Sequence, residues 1–361
     1  MPEISIVVPT FSESENVAEL HSRVNAAMGE QSWELIFVDD DSPDGTADLV
    51  RGLAAKDPRV RCIQRIGRRG LSTAVIEGAL SSSAPFVAVM DADLQHDESI
   101  LPTMLNELRS RNLDVVVGSR YVAGGGTGDW DESRKTISRI AGRLAKGLVP
   151  EQLRDPMSGF FVMKSQALRD AAHHLSGYGY KILLDLFVSA GRPLQFAEVP
   201  YTFKPRAHGM SKLDSLVAWE YLMLLVDKRI GHIIAPRLLF FAMVGGSGVA
   251  VHYATLSALF LGLGVSFPLA QLVGTLFSMT SNFFLNNLFT YRDQRLRGTK
   301  LVRGLLSFYA VCGMGALANI GIAAYAFSKN LEWALSALAG IIVGTLWNYL
   351  ATARFTWGSR K

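Results

Sequence analysis

The chain has 361 residues, of which 49% are hydrophobic and 19% are charged, and its formal net charge is +4. In soluble proteins of this size about a quarter of the residues are charged, and in this chain charged residues become sparse after Pro236. This distribution excludes a uniformly soluble domain, a disordered chain and a fibrous protein, and the net charge is too small to indicate a nucleic-acid partner. Two cysteines, Cys62 and Cys312, are too few for a disulfide framework.

Short β-branched segments alternate with helical ones in the N-terminal part of the chain. The predicted strands cover residues 4–9, 34–38, 60–63 and 85–90, and the predicted helices cover about 15–28, 45–55 and 74–80. This alternation predicts an α/β domain with a doubly wound, mainly parallel sheet. Because ligands bind at the carboxyl ends of such strands, we expect Pro9, the aspartates 39–41 and the pair Asp91 and Asp93 to converge there.

Asp91 and Asp93 come directly after the fourth predicted strand, and Gln95 follows them. Carboxylate and amide oxygens are ligands that Mg2+ and Mn2+ prefer, and a cation here can bind a diphosphate. A solvated loop is the alternative, but it does not require the pair to abut so apolar a strand. The aspartates 39–41 fit a role in capping a turn and a helix as well as they fit a position near a cation. The sequence therefore predicts a metal site with Asp91, Asp93 and Gln95 as ligands.

Four apolar segments follow in the C-terminal third, at about 238–261, 267–290, 304–327 and 333–355. Each is long enough, at about 36 Å of helix, to cross a bilayer core of about 30 Å. Four buried helices of a soluble bundle are the alternative, but they need polar outer faces that these segments lack. We therefore predict four membrane-spanning helices.

Basic residues are distributed unevenly around these segments. The second loop and the chain end carry most of them: Arg292, Arg295, Arg297, Lys300, Arg303, Arg354, Arg360 and Lys361. The other two loops contribute only Lys329, so the positive-inside rule places both termini in the cytoplasm. The start of the chain shows no basic region followed by an apolar one, so we expect no cleavable signal peptide. We thus expect a multi-pass protein of the cell membrane with a cytoplasmic catalytic domain.

The membrane segments contain an internal repeat. Residues 240–245 parallel 308–313, and residues 282–291 parallel 348–357. This pattern predicts two hairpins of two helices each, in the same orientation. Asn282, Asn286 and Asn348 are costly in lipid unless they form hydrogen bonds across helices, so we favour a packing role over a ligand role.

Two other segments are amphipathic. Residues 212–236 present an apolar face made of Leu213, Leu216, Val217, Tyr221, Leu224 and Leu225. This face predicts a helix at the membrane interface. Residues 134–146 predict either a second interfacial helix, attracted to anionic lipid, or a solvated one. His96, His173, His174 and His208 show no metal-ligand spacing, and we interpret them as structural.

Six motifs carry a resemblance to a known family: 9–16, 39–46, 90–96, 118–121, 155–160 and 206–213. Their ordered series resembles inverting family-two glycosyltransferases of the GT-A fold, and more narrowly the polyprenyl-phosphate glycosyltransferases related to dolichol-phosphate mannose synthases. Two positions depart from the family pattern: Ser12, where asparagine is usual, and Ser72-Thr73, where a glycine is common. The membrane segments resemble the GtrA-like domain.

The resemblance implies three regions and a set of site residues. The regions are a GT-A domain at 1–211, an interfacial linker at 212–236 and a GtrA-like domain at 237–361. Residues implied in nucleotide-sugar binding are Pro9, Phe11, Glu13, Val38, Asp40, Asp91, Ala92, Lys181, Arg206 and Lys212. Residues implied at the acceptor phosphate are Arg120, Arg206, Ser211 and Lys212. Asp91, Asp93 and Arg120 are implied in catalysis, with Asp93 as the central ligand of Mg2+ or Mn2+.

The activity implied is transfer of mannose from GDP-mannose to a polyprenyl or dolichyl monophosphate. The acceptor phosphate is already ionised, so catalysis depends on placement and charge stabilisation, and a single displacement gives a β-linked product. Transfer of glucose from UDP-glucose is the main alternative, and a lipid-linked sugar flippase is another. A processive polysaccharide synthase needs a Gln-x-x-Arg-Trp motif that the sequence lacks. The four helices also allow a homo-oligomer.

Overall fold

The computed structural model describes residues 1–128, 132–145, 147–177, 179–205, 215–231, 235–291, 294–329 and 331–358. The chain divides into two compact units, Met1–Arg229 and Ile230–Lys361. The first unit contains the sheet, and the second unit consists of long helices.

Seven strands of the first unit form one sheet in the described part of the chain. They are β1 (Ile4–Thr10), β2 (Trp33–Asp39), β3 (Val60–Gln64), β4 (Phe86–Val89), β5 (Val115–Ser119), β6 (Phe161–Lys164) and β7 (Phe196–Pro200). Their order is β3-β2-β1-β4-β6-β5-β7. β6 is antiparallel to β4 and β5, whereas the other pairs are parallel. The sheet is thus mixed, with one reversed strand in the mainly parallel arrangement that the sequence predicts.

Helices cover both faces of the sheet. They are α1 (Val17–Met28), α2 (Thr46–Ala54), α3 (Leu71–Leu80), α4 (Leu101–Ser110), α5 (Glu132–Ala145), α6 (Ser165–Ala171), α7 (Ile182–Ser189) and α8 (Ser215–Ile230). Successive residues of a strand point to opposite faces: Ile6 and Val8 of β1 join the core that includes α1 and α4, while Val7 joins the core with α3 and α7. Burial on both faces explains why the central strand β1 is mainly apolar along its whole length.

The reversed strand determines which loops meet. β1 and β2 are in register at their carboxyl ends, where Thr10 pairs with Asp39, and Val89 of β4 pairs with Val7. Because β6 runs the other way, its first residue, Phe161, pairs with Val117 near the end of β5. The segment 155–160 before β6 therefore lies at the same edge as the loops after β1, β2, β4 and β5.

α8 packs against other helices of the first unit. Tyr221, Leu224 and Leu225 are buried against α5 and α7, and the Tyr221 hydroxyl donates a hydrogen bond to the carbonyl of Ala141 at 2.6 Å. An amphipathic pattern predicts a buried face without indicating what covers it, and here these three residues are covered by protein. The first unit extends to Arg229, while the interfacial position of this helix stays a prediction.

The described residues of the second unit form four long helices: α9 (Pro236–Ser257), α10 (Phe267–Leu285), α11 (Thr299–Ser328) and α12 (Trp333–Phe355). π-helical turns extend α9 over Ala258–Gly262 and α10 over Asn286–Thr290. Among the described residues, Pro236–Gly262 and Thr299–Ala318 are long and apolar enough to cross a membrane. These two helices indicate a membrane protein, while four spans and two repeats stay predictions.

Candidate active site

Hydrogen bonds join the loops after β1 and β2: side-chain oxygens of the second loop accept backbone N–H groups of the first. Asp39 is fully buried and accepts hydrogen bonds from Thr10 Oγ1 at 3.2 Å and from the Ser42 N–H at 2.9 Å. The Ser12 N–H donates to Ser42 Oγ at 2.9 Å, and the Glu13 N–H to Thr46 Oγ1 at 3.1 Å. Asp39 therefore stabilises the turn after β2. This agrees, for Asp39, with the turn-capping role considered for residues 39–41.

Asp40 is held by a second loop. Its Oδ2 accepts the Gly70 N–H at 2.7 Å, and Arg65 Nη1 lies 2.9 Å from its Oδ1. Burial raises the pKa of the Asp40 carboxyl, although the Gly70 N–H and the Arg65 charge act in the opposite direction. Arg65 is itself buried and donates to the Gly70 carbonyl at 3.0 Å and to Thr73 Oγ1 at 2.7 Å.

Arg65 was not among the predicted site residues. A usable signal existed, because Arg65 follows β3 and thus lies at the same carboxyl edge as the aspartates. The loop after it also reaches the predicted nucleotide residues, since the Arg69 guanidinium lies over the Phe11 ring at 4.3 Å. Phe11, Asp40 and the loop 65–70 are therefore assembled in one place.

Two predicted nucleotide residues have their side chains elsewhere. Val38 is fully buried in the core on the α3 side of the sheet, and Ala92 is buried in the opposite core. A Cβ on Gly78 of α3 would lie 2.8 Å from Val38 Cγ2, which shows how closely helix and strand pack. Only the backbone of these two residues can therefore contact a nucleotide.

Asp91, Asp93 and Gln95 share the loop after β4. Leu94 adopts a left-handed conformation with φ 60°, and the Gln95 N–H donates to Asp93 Oδ1 at 3.3 Å. Gln95 Nε2 donates to the Lys204 carbonyl at 3.0 Å, so Oε1 is the amide atom suited to a cation. No group of three or more His, Cys, Asp or Glu able to hold a metal occurs among the described residues. Two carboxylates and one amide nevertheless fit Mg2+ or Mn2+, which complete their shells with phosphate and water oxygens.

His96 packs against this loop. Its Nδ1 accepts the Asp91 N–H at 3.1 Å, and its ring stacks on Phe160 at 5.0 Å. Burial lowers the pKa of His96 to about 4, so the imidazole is neutral at physiological pH. This histidine was predicted to be structural, and its contact with Asp91 was not predicted.

Arg120 forms a buried ion pair with Asp155. Its Nε and Nη2 each donate to one carboxylate oxygen at 2.7 Å, and Asp155 is fully buried. Burial by itself lowers the pKa of the Arg120 guanidinium. The hydrogen bonds to Asp155 outweigh this effect and hold the pKa of Arg120 above its ordinary value. The pair joins the end of β5 to the segment before β6. The sequence predicted Arg120 as a phosphate ligand and did not predict this partner.

Close packing places the segment 155–160 beside the predicted metal ligands. A Cβ on Gly159 would lie 3.1 Å from Asp91 Oδ2, and a Cβ on Gly118 would lie 2.8 Å from Phe160 Cδ1. Lys181, the residue before α7, donates from Nζ to the Met157 carbonyl at 3.1 Å. The structure thus brings Asp91, Arg120 and Lys181 around one segment, whereas Arg206, Ser211 and Lys212 lie outside the described residues.

Two family models match the chain. The glycosyl transferase family 2 model matches residues 5–171, within the unit that contains the sheet. The model of the GtrA/DPMS transmembrane domain matches residues 240–357, within the helical unit.

Individual proteins extend the similarity over the whole chain. A dolichol-phosphate mannosyltransferase of Pyrococcus furiosus is 34% identical over 362 residues, which cover 99% of this chain and 100% of the relative. A dolichol-phosphate mannosyltransferase of Mycosarcoma maydis is 39% identical over 63% of this chain and 79% of the relative. A crystal structure of glucosyl-3-phosphoglycerate synthase from Mycobacterium tuberculosis, with Mn2+, UDP-glucose and phosphoglyceric acid, is 19% identical with a TM-score of 0.46, covering 63% of this chain and 79% of that chain.

Proposed function

The chain belongs to the family of the dolichol-phosphate mannosyltransferases, and we propose that it transfers mannose from GDP-mannose to a polyprenyl or dolichyl monophosphate. The observation that carries the proposal is the convergence of Asp91, Asp93 and Gln95 on one loop, beside Lys181 and the Arg120–Asp155 pair. Oxygen ligands and cations at one edge of a sheet suit a sugar nucleotide, which combines a diphosphate with a polar base and sugar.

The nucleoside binds at the loops after β1, β2 and β3. Phe11 and Asp40 supply an apolar face and a carboxylate, and the loop 65–70 closes against both. Val38 takes part through its backbone, because its side chain is buried in the core. A carboxylate whose pKa is raised by burial, as in Asp40, gains from a donor group of the base or ribose that replaces lost water.

Asp91, Asp93 and Gln95 would hold Mg2+ or Mn2+, which neutralises charge on the leaving diphosphate. Lys181 supplies a point charge for phosphate. Arg120, whose Nε and Nη2 donate to Asp155, adds a buried positive charge beside this loop. Arg206, Ser211 and Lys212 are proposed at the acceptor phosphate from their motif alone.

Catalysis depends on positioning the acceptor phosphate and the sugar nucleotide more than on proton transfer. The oxygen of the acceptor phosphate carries its charge at neutral pH, so it can attack C1 of the sugar without a strong general base. Attack in line with the departing diphosphate inverts the configuration and turns an α-linked donor into a β-linked product. The chain's own residues then act by orienting both phosphates in a partly buried site, where fixed charges act strongly.

The helical unit brings the catalytic unit to the acceptor's membrane. We propose a multi-pass arrangement in which α9, α10, α11 and α12 all cross the bilayer and both termini are cytoplasmic. The basic residues between α10 and α11 and the apolar length of these segments support this arrangement. It allows a polyprenyl tail to stay in lipid while its phosphate reaches the site.

The test is transfer of radiolabelled sugar to polyprenyl phosphate by the purified full chain. GDP-mannose and UDP-glucose are compared with and without Mn2+, using the wild type, Asp93→Asn and Asp170→Asn, an exposed carboxylate on α6. We expect Mn2+-dependent labelling from GDP-mannose that Asp93→Asn lowers by more than about 100-fold and Asp170→Asn leaves unchanged. Labelling from UDP-glucose alone would establish the alternative donor. Full labelling by Asp93→Asn would contradict the metal site.

A further inference from the structure

The two ring nitrogens of His96 face different parts of Asp91. His96 Nδ1 accepts the Asp91 backbone N–H at 3.1 Å, and this assigns the ring proton to Nε2 in the neutral imidazole. Nε2 lies 3.7 Å from Asp91 Oδ2, which is beyond hydrogen-bond distance but close enough for the N–H dipole to attract the carboxylate. His96 is therefore placed to orient both the backbone and the side chain of Asp91.

Aromatic neighbours hold the His96 ring in place. The ring lies parallel to Phe160, with planes 9° apart, and the rings of Tyr201 and Phe203 meet it edge-on at 5.8 Å. His96 is only 2% exposed, so this packing fixes the plane of the ring. Within that plane, the hydrogen bond from the Asp91 N–H places Nδ1, and not Cδ2, on the side of Asp91.

Asp91 is more accessible to solvent than Asp93. The Asp91 side chain is 34% exposed, whereas Asp93 is buried and accepts the Gln95 N–H within the same loop. A partly exposed carboxylate loses side-chain entropy when it ligates a cation, and this loss weakens affinity. A rigid partner that orients the ligand beforehand reduces the loss.

We propose that His96 is a positioning residue for the divalent cation: it orients Asp91 for metal binding without contacting the metal. This inference rests on the metal site of the proposed function. Removing a group that orients a metal ligand typically lowers metal affinity by about 10- to 100-fold.

Three substitutions separate the accepted hydrogen bond from ring packing. Asn places Oδ1 close to the position of Nδ1 and can still accept the Asp91 N–H, whereas Gln carries its amide one bond further out and cannot. Phe keeps the ring stacked on Phe160 but offers no acceptor. His96→Asn, His96→Gln and His96→Phe therefore form a matched set, with Asp93→Asn as the reference for loss of a ligand.

The experiment titrates the detergent-solubilised full chain with Mn2+ alone and measures free Mn2+ by electron paramagnetic resonance. We expect His96→Gln and His96→Phe to weaken Mn2+ binding by about 10-fold or more, and His96→Asn to stay within about threefold of the wild type. In the transfer assay, the same two variants should need more Mn2+ for half-maximal rate and recover most of kcat at saturation. Thermal unfolding without metal checks that each variant is folded.

The outcomes are distinct. Wild-type affinity in folded His96→Gln would overturn the inference, and so would an Asn variant that loses as much affinity as Gln, because ring packing would then be the cause. Absence of Mn2+ binding by the wild type would overturn the proposed metal site and this inference with it. Should His96→Phe fail to fold, the comparison of Gln with Asn still decides.

Discussion

Tyr291 and Trp357 stack face to face, with ring centroids 4.1 Å apart and planes 4° apart. Both side chains are buried, and Trp357 Nε1 donates to Asn287 Oδ1 at 3.1 Å. The two residues occupy equivalent positions in the predicted repeat, at the ends of its two matched segments. Contact between equivalent residues is what a two-fold relation between the hairpins would produce. The stack ties the segment after α10 to the end of α12.

Loss of this stack should destabilise the helical unit. We expect Trp357→Ala to lower its free energy of unfolding by about 3–5 kcal/mol, and Trp357→Phe, which keeps a ring but loses the N–H, by about 1–2 kcal/mol. Denaturant unfolding in detergent, followed by near-ultraviolet circular dichroism, measures both. Trp347 is the control, because its Nε1 also donates one hydrogen bond but its side chain is 37% exposed. An equal loss in Trp347→Ala would contradict the prediction.

Gly315 of α11 makes room for Asn348 of α12. A Cβ on Gly315 would overlap with Asn348 Oδ1, and in the other hairpin a Cβ on Gly248 would lie 2.5 Å from Asn282 Nδ2. We expect Gly315→Val to lower the unfolding free energy by about 1–3 kcal/mol through overpacking. Gly313→Val, where a Cβ meets no atom within 4 Å, is the matched control and should change little. Equal stability of the two variants in the same detergent assay would refute the packing.

Two Arg–Asp pairs of similar geometry differ in burial. The Arg120 side chain is 8% exposed in its pair with Asp155, whereas Arg192 is 57% exposed in its bidentate pair with Asp114. Removing one partner of a buried pair leaves an uncompensated charge, so we expect Arg120→Ala to cost about 3–5 kcal/mol of unfolding free energy in the catalytic unit. Arg192→Ala should cost clearly less. Thermal and denaturant unfolding measure the stability of both variants. A larger loss in Arg192→Ala than in Arg120→Ala would show that burial does not determine the cost of breaking these pairs.

Arg65 should affect nucleotide binding more than turnover. Lysine in its place cannot reach Asp40, the Gly70 carbonyl and Thr73 together, because it has a single cationic nitrogen. We expect Arg65→Lys to raise KM for GDP-mannose by about 10-fold, equivalent to loss of one charged hydrogen bond, with kcat changed less. Arg68→Lys is the control, since Arg68 lies on the same loop with its side chain 61% exposed. A fall in kcat alone would assign Arg65 to another step.

Asp114 should contribute to acid denaturation. Hydrogen bonds from Arg192, and then from the Gln195 N–H, hold its pKa below the ordinary value of 3.8 despite burial. A carboxyl whose pKa is lowered on folding contributes stability above its unfolded pKa, and the contribution disappears as the pH falls through the folded value. We expect the unfolding temperature of Asp114→Asn to fall less steeply than that of the wild type below about pH 4. Asp48→Asn, an exposed carboxylate on α2, should follow the wild type, and parallel curves for all three would contradict the assignment.

Patterns local in the chain predicted the strands that carry the site. β1, β2 and β4 lie where short, mainly apolar segments indicated them, because strands buried on both faces need apolar residues at most positions. β3 also lies where it was predicted, although it is only partly buried after Val60. The four C-terminal segments lie in helices of the described part of the chain, while four membrane spans stay a prediction. The metal ligands stay a prediction, although their loop has the expected position.

Other parts of the site depended on residues far apart in the chain. Asp155 meets Arg120 only because β6 is reversed between β4 and β5, and no local pattern indicates the direction of a four-residue strand. His96 was interpreted as structural because histidine spacing was searched for metal ligands, whereas its contact is with a backbone N–H five residues earlier. Arg65 was missed because a single arginine after a strand resembles any surface charge.

The sequence by itself determined the division into an α/β part and an apolar helical part and the position of the aspartates, since periodicity, length and composition are local properties. The family followed from the resemblance of six ordered motifs. Tertiary structure alone decided which loops meet at the sheet edge, that α8 packs on the catalytic unit and that Tyr291 stacks on Trp357. Hydrophobic burial is non-directional: a sequence pattern predicts that a face is covered, but the partner depends on strand order and helix packing.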